Sequence, residues 1–183
     1  GVLGPCRSYT AADGFPPRNV RALAEDRKGR IVAGTRDAGV WVLDAGNWRR
    51  AGSPQSGLEL DVYSLLVRRD GSMIVGSADD GMRFCTDAIS GLCRRVDEAG
   101  GLPDDGVRQL LEDREGGLWI GTESGLARLG EVEMLSFGQP AGLPDRQVDS
   151  LASDADGTLW VGTFGGLARL RRVFFIVLVA SAA

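Results

Sequence analysis

The sequence predicts an all-β protein made of four β-propeller blades, each a four-stranded antiparallel sheet. Three observations carry this prediction. The chain repeats itself, with units opening at Gly14, Gly57, Gly101 and Gly142, spaced 43, 44 and 41 residues apart. Its apolar runs are short, rich in β-branched and aromatic residues, and separated by Gly, Asp and Pro clusters, the texture of strands and turns. Finally, 27 glycines interrupt every stretch long enough for an amphipathic helix. A period of this length with room for four strands is that of a propeller blade, and internal repetition is the strongest signal of such an array.

Each unit carries the same landmarks in the same order. A Val-x-x-Leu pair comes first: Val20/Leu23, Val62/Leu65, Val107/Leu110 and Val148/Leu151. A turn glycine follows at Gly29, Gly71, Gly116 and Gly157. Next is an apolar triplet ending in Gly-Thr or Gly-Ser, at Gly34-Thr35, Gly76-Ser77, Gly121-Thr122 and Gly162-Thr163. Another glycine with an apolar residue closes the pattern: Gly39-Val40, Gly81-Met82, Gly125-Leu126 and Gly166-Leu167.

With the third unit as template, strand a is predicted at Val107–Leu111, b at Leu118–Gly121, c at Leu126–Leu129 and d at Glu133–Phe137. The a–b connection holds Asp113-Arg114-Glu115-Gly116, whose glycine can take the positive φ of a tight hairpin turn. Strand b is apolar at consecutive positions (Leu118, Trp119, Ile120), as a strand buried on both faces between stacked blades must be. The chain then divides into a terminal strand of a preceding or closing blade (1–13), blades at 14–56, 57–100, 101–141 and 142–172, and an apolar tail (173–183).

Composition narrows the function classes. The chain has 21 Lys+Arg against 25 Asp+Glu, and no basic cluster exceeds Arg49-Arg50 or Arg171-Arg172. A nucleic-acid partner is not expected, since it would demand a concentrated positive stripe. Histidine is absent altogether. That removes the usual general base at neutral pH, the Ser-His and Cys-His pairs and most zinc sites, so neither metal nor cofactor is expected. Of the three cysteines, Cys85 and Cys93 bracket the turn Thr86–Leu92. They are either two unpaired core residues or a disulfide across a hairpin, and Cys6 is left over.

The two ends compete for one place. Tyr9 precedes Gly14 by the same interval as Phe137 precedes Gly142, so Cys6–Thr10 reads as a strand d. The apolar run from Val173 to Ala183 maps onto strand d of the last blade. Either the amino-terminal strand closes a small ring, or the blades are an open arc cut from a larger propeller; the start at Gly1, without methionine or signal sequence, favours the arc. The tail is an outer edge strand, a truncated membrane segment, too short to span by itself, or a misread terminus.

Two stretches identify a relative. GLPDDGVRQLLEDREGGLWIGTESGLARL (Gly101–Leu129) and GLPDRQVDSLASDADGTLWVGTFGGLARL (Gly142–Leu170) resemble two-component regulator propeller repeats. The resemblance extends over Ser8 to Leu170 but is diluted early: Val32 and Ile74 stand where the family prefers tryptophan, and Glu59-Leu60 replaces Pro-Asp. It implies the periplasmic sensor portion of hybrid histidine kinases or diguanylate cyclases, on the outer side of a bacterial inner membrane. It implies no activity in this chain, which lacks a phosphoacceptor histidine. Membrane association would come only through a parent chain or the apolar tail.

Candidate sites follow from the architecture. Trp119 and Trp160 occupy equivalent positions and are expected in blade packing rather than ligand stacking. Asp154-Ala155-Asp156-Gly157 lacks the distal donors of a calcium loop and is expected to be a turn. Propeller ligands dock on the d–a and b–c loops at one mouth of the channel. The expected binding residues are therefore Arg36, Asp79, Glu123 and Phe164 from the b–c loops, with Arg18 and Arg146 from the d–a loops. The expected partner is a small molecule or glycan, with a homodimer through the propeller as a further expectation. The competing readings are a truncated fragment with no independent activity, and a lyase or hydrolase using the carboxylates of Asp79, Asp80 and Glu123.

Overall fold

A computed structural model of the chain describes residues 4, 6–15, 19–87, 92–130 and 134–171. Four antiparallel sheets follow one another along the sequence. Blade 1 comprises β1 (Val20–Glu25), β2 (Ile31–Thr35), β3 (Gly39–Asp44) and β4 (Asn47–Arg50). Blade 2 comprises β5 (Val62–Val67), β6 (Met73–Ser77), β7 (Met82–Cys85) and β8 (Cys93–Val96). Blade 3 comprises β9 (Val107–Glu112), β10 (Leu118–Thr122), β11 (Leu126–Leu129) and β12 (Met134–Phe137). Blade 4 shows β13 (Val148–Ser153), β14 (Leu159–Thr163) and β15 (Gly166–Leu170) among the described residues. Strands pair in chain order within every sheet, as a meander, so no strand crosses between blades.

The fold is an open arc of a β-propeller. The first strands β1, β5, β9 and β13 lie side by side from one blade to the next and form its inner edge. Three apolar clusters fill the spaces between blades. Val40, Leu58 and Val62 belong to the first, Met82, Leu102 and Val107 to the second, and Leu126, Leu143 and Val148 to the third. Each cluster thus joins the start of strand c of one blade to strand a of the next.

The repeated glycine of strand b has a packing reason. A Cβ on Gly34, Gly76 or Gly121 would run into the side chain of Val62, Val107 or Val148 on the following blade. At Gly121 the clash with Val148 Cγ1 would be at 2.6 Å. Glycine at this step lets the next inner strand approach, which sets the blade spacing. The adjoining hydroxyl closes the b–c loop: Thr35, Ser77, Thr122 and Thr163 donate to the carbonyls of Gly39, Gly81, Gly125 and Gly166 at 2.7–2.8 Å.

The a–b turns at the opposite end are also built alike. Asp113 Oδ1 accepts from the amides of Glu115 and Gly117, and its Oδ2 accepts from Trp119 Nε1 at 3.0 Å. Asp154 does the same with Asp156, Thr158 and Trp160. The Asp154 segment is therefore an Asx-type turn, and the bond from Trp160 holds its carboxyl below the usual range. Blade 1 has Val32 in the tryptophan position, and there Asp26 takes Arg30 Nε as partner at 2.7 Å. Burial pushes Asp26 upward, but the bonds from Arg30 and Lys28 outweigh it and leave the carboxyl low. Blade 2 has Arg68 in place of this aspartate, so Asp70 bonds the Ser72 hydroxyl and amide instead, which lowers it too.

Two expectations about the ends and the cysteines now resolve. Cys85 and Cys93 face each other across β7 and β8 and form a disulfide, with Cys85 buried in the first cluster; Cys6 is free and exposed. The expected strand at Cys6–Thr10 is not formed. Thr10 instead caps a short 3-10 turn at Ala11–Asp13, and Tyr9 packs edge-on against Trp48 at 5.8 Å. Together with Phe15, Ala33 and Trp41 it covers the outer part of the free face of blade 1. A strand needs an edge to pair with, and these residues take up side-chain packing on a face instead. The apolar tail and Glu133 lie outside the described residues. No helix among the described residues is long and apolar enough to cross a membrane.

Candidate ligand-binding face

At one end of the arc the b–c and d–a loops are pinned together in every blade. The amide that opens each b–c loop donates to a d–a loop carbonyl: Arg36 to Asn19, Ala78 to Asp61, Glu123 to Gly106 and Phe164 to Gln147, at 2.9–3.1 Å. The b–c and d–a loops therefore lie together at one end of the arc.

Below these loops the inner strands share a second regularity. In each blade the pairing of strands a and b slips by one residue just after the leading valine. The residues left out of the ladder are Arg21, Tyr63, Arg108 and Asp149. A bulge re-aims the side chain of its extra residue, and here it does so four times along one edge. The guanidinium carbon of Arg21 lies 4.6 Å from the centre of the Tyr63 ring, and that of Arg108 lies 5.7 Å from it. Arg108 in turn reaches Glu123 at 2.9 Å and Asp149 at 3.4 Å. The result is one continuous row of charge and aromatic surface across the four blades.

Arg36 approaches Asp61 of blade 2 at 3.8 Å and remains more than half exposed. The Oδ1 of Asp61 and the Nε of Arg108 are buried without a hydrogen-bond partner among the described residues. Such atoms retain binding capacity that a ligand or ordered water can satisfy. Asp79 is exposed on the b–c loop of blade 2 and makes no ion pair among the described residues. Phe164 is 81% exposed and Arg146 is exposed, both at the blade 4 end of the arc. Arg18 lies outside the described residues.

The structure thus joins Glu123 to the inner row and Arg36 to a carboxylate of the next blade. It leaves Phe164 and Arg146 apart at the end. Sequence reasoning missed Arg21, Tyr63, Asp61, Arg108 and Asp149. For all but Asp61 the signal available was variation at the position just after the valine that recurs in each unit. Two of the three carboxylates weighed for catalysis are taken up by ion pairs. Asp80 is held by Arg83 and by Arg95, and Glu123 by Arg108. Among the described residues no three acidic or cysteine side chains are placed to hold a metal ion.

Residues 101–124 and 142–165, the leading parts of blades 3 and 4, match the two-component regulator propeller model. In these two stretches the chain is similar to two-component regulator propeller repeats. Solved structures containing similar blades include the extracellular domain of the hybrid two-component system BT3049 from B. thetaiotaomicron. The identity is 21% and the TM-score 0.72, over 82% of this chain and 21% of that one. The extracellular domain of BT4673 from the same organism matches at 19% identity and a TM-score of 0.67, over 82% of this chain and 22% of that one. Virginiamycin B lyase from Staphylococcus aureus matches at 13% identity and a TM-score of 0.63, over 85% of this chain and 56% of the enzyme. At these identities the likeness is one of fold. The chain spans about a fifth of the length of the two extracellular domains. No curated protein matches the chain.

Proposed function

We propose that these propeller blades are a non-catalytic recognition module of an extracytoplasmic sensor. In this reading the ligand is a small molecule or glycan bound at the mouth formed by the b–c and d–a loops. One observation carries it: the same bulge recurs in each blade and brings arginine, tyrosine, arginine and aspartate in turn to a common line, while the leading valine and the strand b glycine around it recur. Framework residues serve packing, and the bulged residues are free to serve recognition. Guanidinium groups at Arg21, Arg36 and Arg108 suit carboxylate or sulfate groups on a ligand, because their planar donors match such oxygens. In a longer parent chain the outcome of binding would pass to a kinase or cyclase on the cytoplasmic side of a bacterial inner membrane.

The lyase reading has less support. The lyase structure is a histidine-to-alanine form described in its own name as catalytically inactive, and this chain has no histidine. The test is isothermal titration with a panel of neutral, uronic and sulfated oligosaccharides. Saturable heat with an acidic member, reduced at least tenfold in affinity by Arg36→Ala with Arg108→Ala, is the expected result. Binding that survives both substitutions unchanged places the ligand elsewhere and removes this reading.

A further inference from the structure

The a–b turn end of the blades, opposite the mouth, carries a second recess. Between blades 2 and 3 lies a cleft of about 660 Å³, a size suited to a small molecule. Phe84 of β7 gives it an aromatic lining, with Leu118 of β10 and Leu129 of β11. Three guanidinium groups, from Arg68, Arg94 and Arg128, face the same space with one carboxylate, Glu115. Gly116, Gly117 and Gly130 leave bare backbone between them. Gly117 is particular to this blade, for the other units have Arg30, Ser72 and Thr158 at that step.

Two of the three cations already have carboxylate neighbours. The Nε of Arg68 is buried without a hydrogen bond, 3.5 Å from Glu112, while its terminal nitrogen donates to the Gly116 carbonyl at 2.8 Å. Arg128 reaches Asp113 at 3.4 Å, although that carboxylate also serves Trp119 and two amides. Arg94 is exposed and has no ion pair among the described residues. In blade 1 the same step of strand d is Arg49, which pairs with Asp44 at 2.7 Å. The ladders set Arg49 opposite Val42 and Arg94 opposite Phe84, so Asp44 of blade 1 corresponds to Thr86 of blade 2. Exchange of that carboxylate for a hydroxyl leaves one guanidinium uncompensated on the wall of the cleft.

The same wall is held in place. Phe84 and Arg94 are directly paired across β7 and β8, so their side chains leave the sheet on one face. The next pair along the ladder is Cys85 with Cys93, and their disulfide keeps the two strands together. Ring and cation are thus preorganised side by side, which lowers the cost of ordering them around a ligand.

We propose that this cleft binds a small organic monocarboxylate with a flat, apolar body. The body would lie against Phe84, Leu118 and Leu129, and the carboxylate would take the planar donors of Arg94. One negative charge suits the site. Only one of its cations lacks a carboxylate neighbour, and Glu115 in the wall would repel a second charge. The inference does not depend on the ligand at the mouth, which lies at the other end of the blades.

The test is isothermal titration of the chain with benzoate, and with benzyl alcohol as the uncharged analogue. Saturable binding of benzoate is expected, with benzyl alcohol weaker by about tenfold. Arg94→Ala should weaken benzoate by about the same factor. Thr86→Asp should do likewise, because it keeps the arginine but supplies the partner found in blade 1. Both positions are exposed, so the urea midpoints should match that of the unmodified chain. Arg49→Ala, the same step in blade 1, is the matched control and should leave benzoate binding unchanged. Absence of benzoate heat through the millimolar range would overturn the proposal, as would equal binding of the two probes. Affinity that survives Arg94→Ala and Thr86→Asp, or that falls equally with Arg49→Ala, would overturn it as well.

Discussion

Replacing Gly121 by alanine probes the rule that spaces the blades. The residue lies in β10 with an ordinary strand backbone, so alanine brings no conformational strain of its own. In isolation the change would stabilise the chain by about 0.4–1 kcal/mol, through lost freedom of the unfolded state. The new methyl, however, would stand 2.6 Å from Val148 Cγ1 and 3.2 Å from Val148 Cβ. Neither atom is the mobile end of a long side chain, and Val148 is fully buried. Blade 4 must therefore move away from blade 3, an overpacking cost of about 1–3 kcal/mol. The net expectation is destabilisation by about 1–2 kcal/mol.

Gly138→Ala is the matched control. Its φ is −127°, and a Cβ there would have ordinary contact with Pro140 Cδ at 3.6 Å. It should be neutral or slightly stabilising. Urea denaturation followed by tryptophan fluorescence gives both values. A double-mutant cycle with Val148→Ala locates the effect, since removing the methyl groups that clash should make Gly121→Ala close to harmless. Equal effects of the two glycine substitutions, or strict additivity with Val148→Ala, would refute the spacing argument.

Two further outcomes follow from local chemistry. Reducing the Cys85–Cys93 disulfide, which closes a loop with a sequence separation of 8, should cost about 2–3 kcal/mol on the chain-entropy account. A melting temperature unchanged by reductant would count against that contribution. Asp26, Asp70 and Asp154 all have folded carboxyls held low. Their stabilisation is therefore complete above the unfolded carboxylate value of about 4, and is lost as pH falls through that value and below it. Melting temperature should drop on acidification in that window, and Asp26→Asn should flatten the drop; parallel acid profiles for the two proteins would contradict the linkage.

The repeat, the four-bladed all-β architecture and the turn at Asp154 were legible in the chain itself. Period, strand texture and turn glycines are local properties, written within a few residues of the structure they specify. Even the glycine before each Thr or Ser was visible as a landmark. Its purpose was not, because the valine that requires it sits on the following blade.

Tertiary structure alone decided the remainder. The bulges that deliver Arg21, Tyr63, Arg108 and Asp149 depend on the register between two strands, which no single strand encodes. The pairing of Cys85 with Cys93 likewise became definite only when β7 and β8 placed them opposite each other. Cys6–Thr10 has the spacing of a strand yet forms none, since pairing requires a free edge in the right place and the free face of blade 1 offers Trp48 instead.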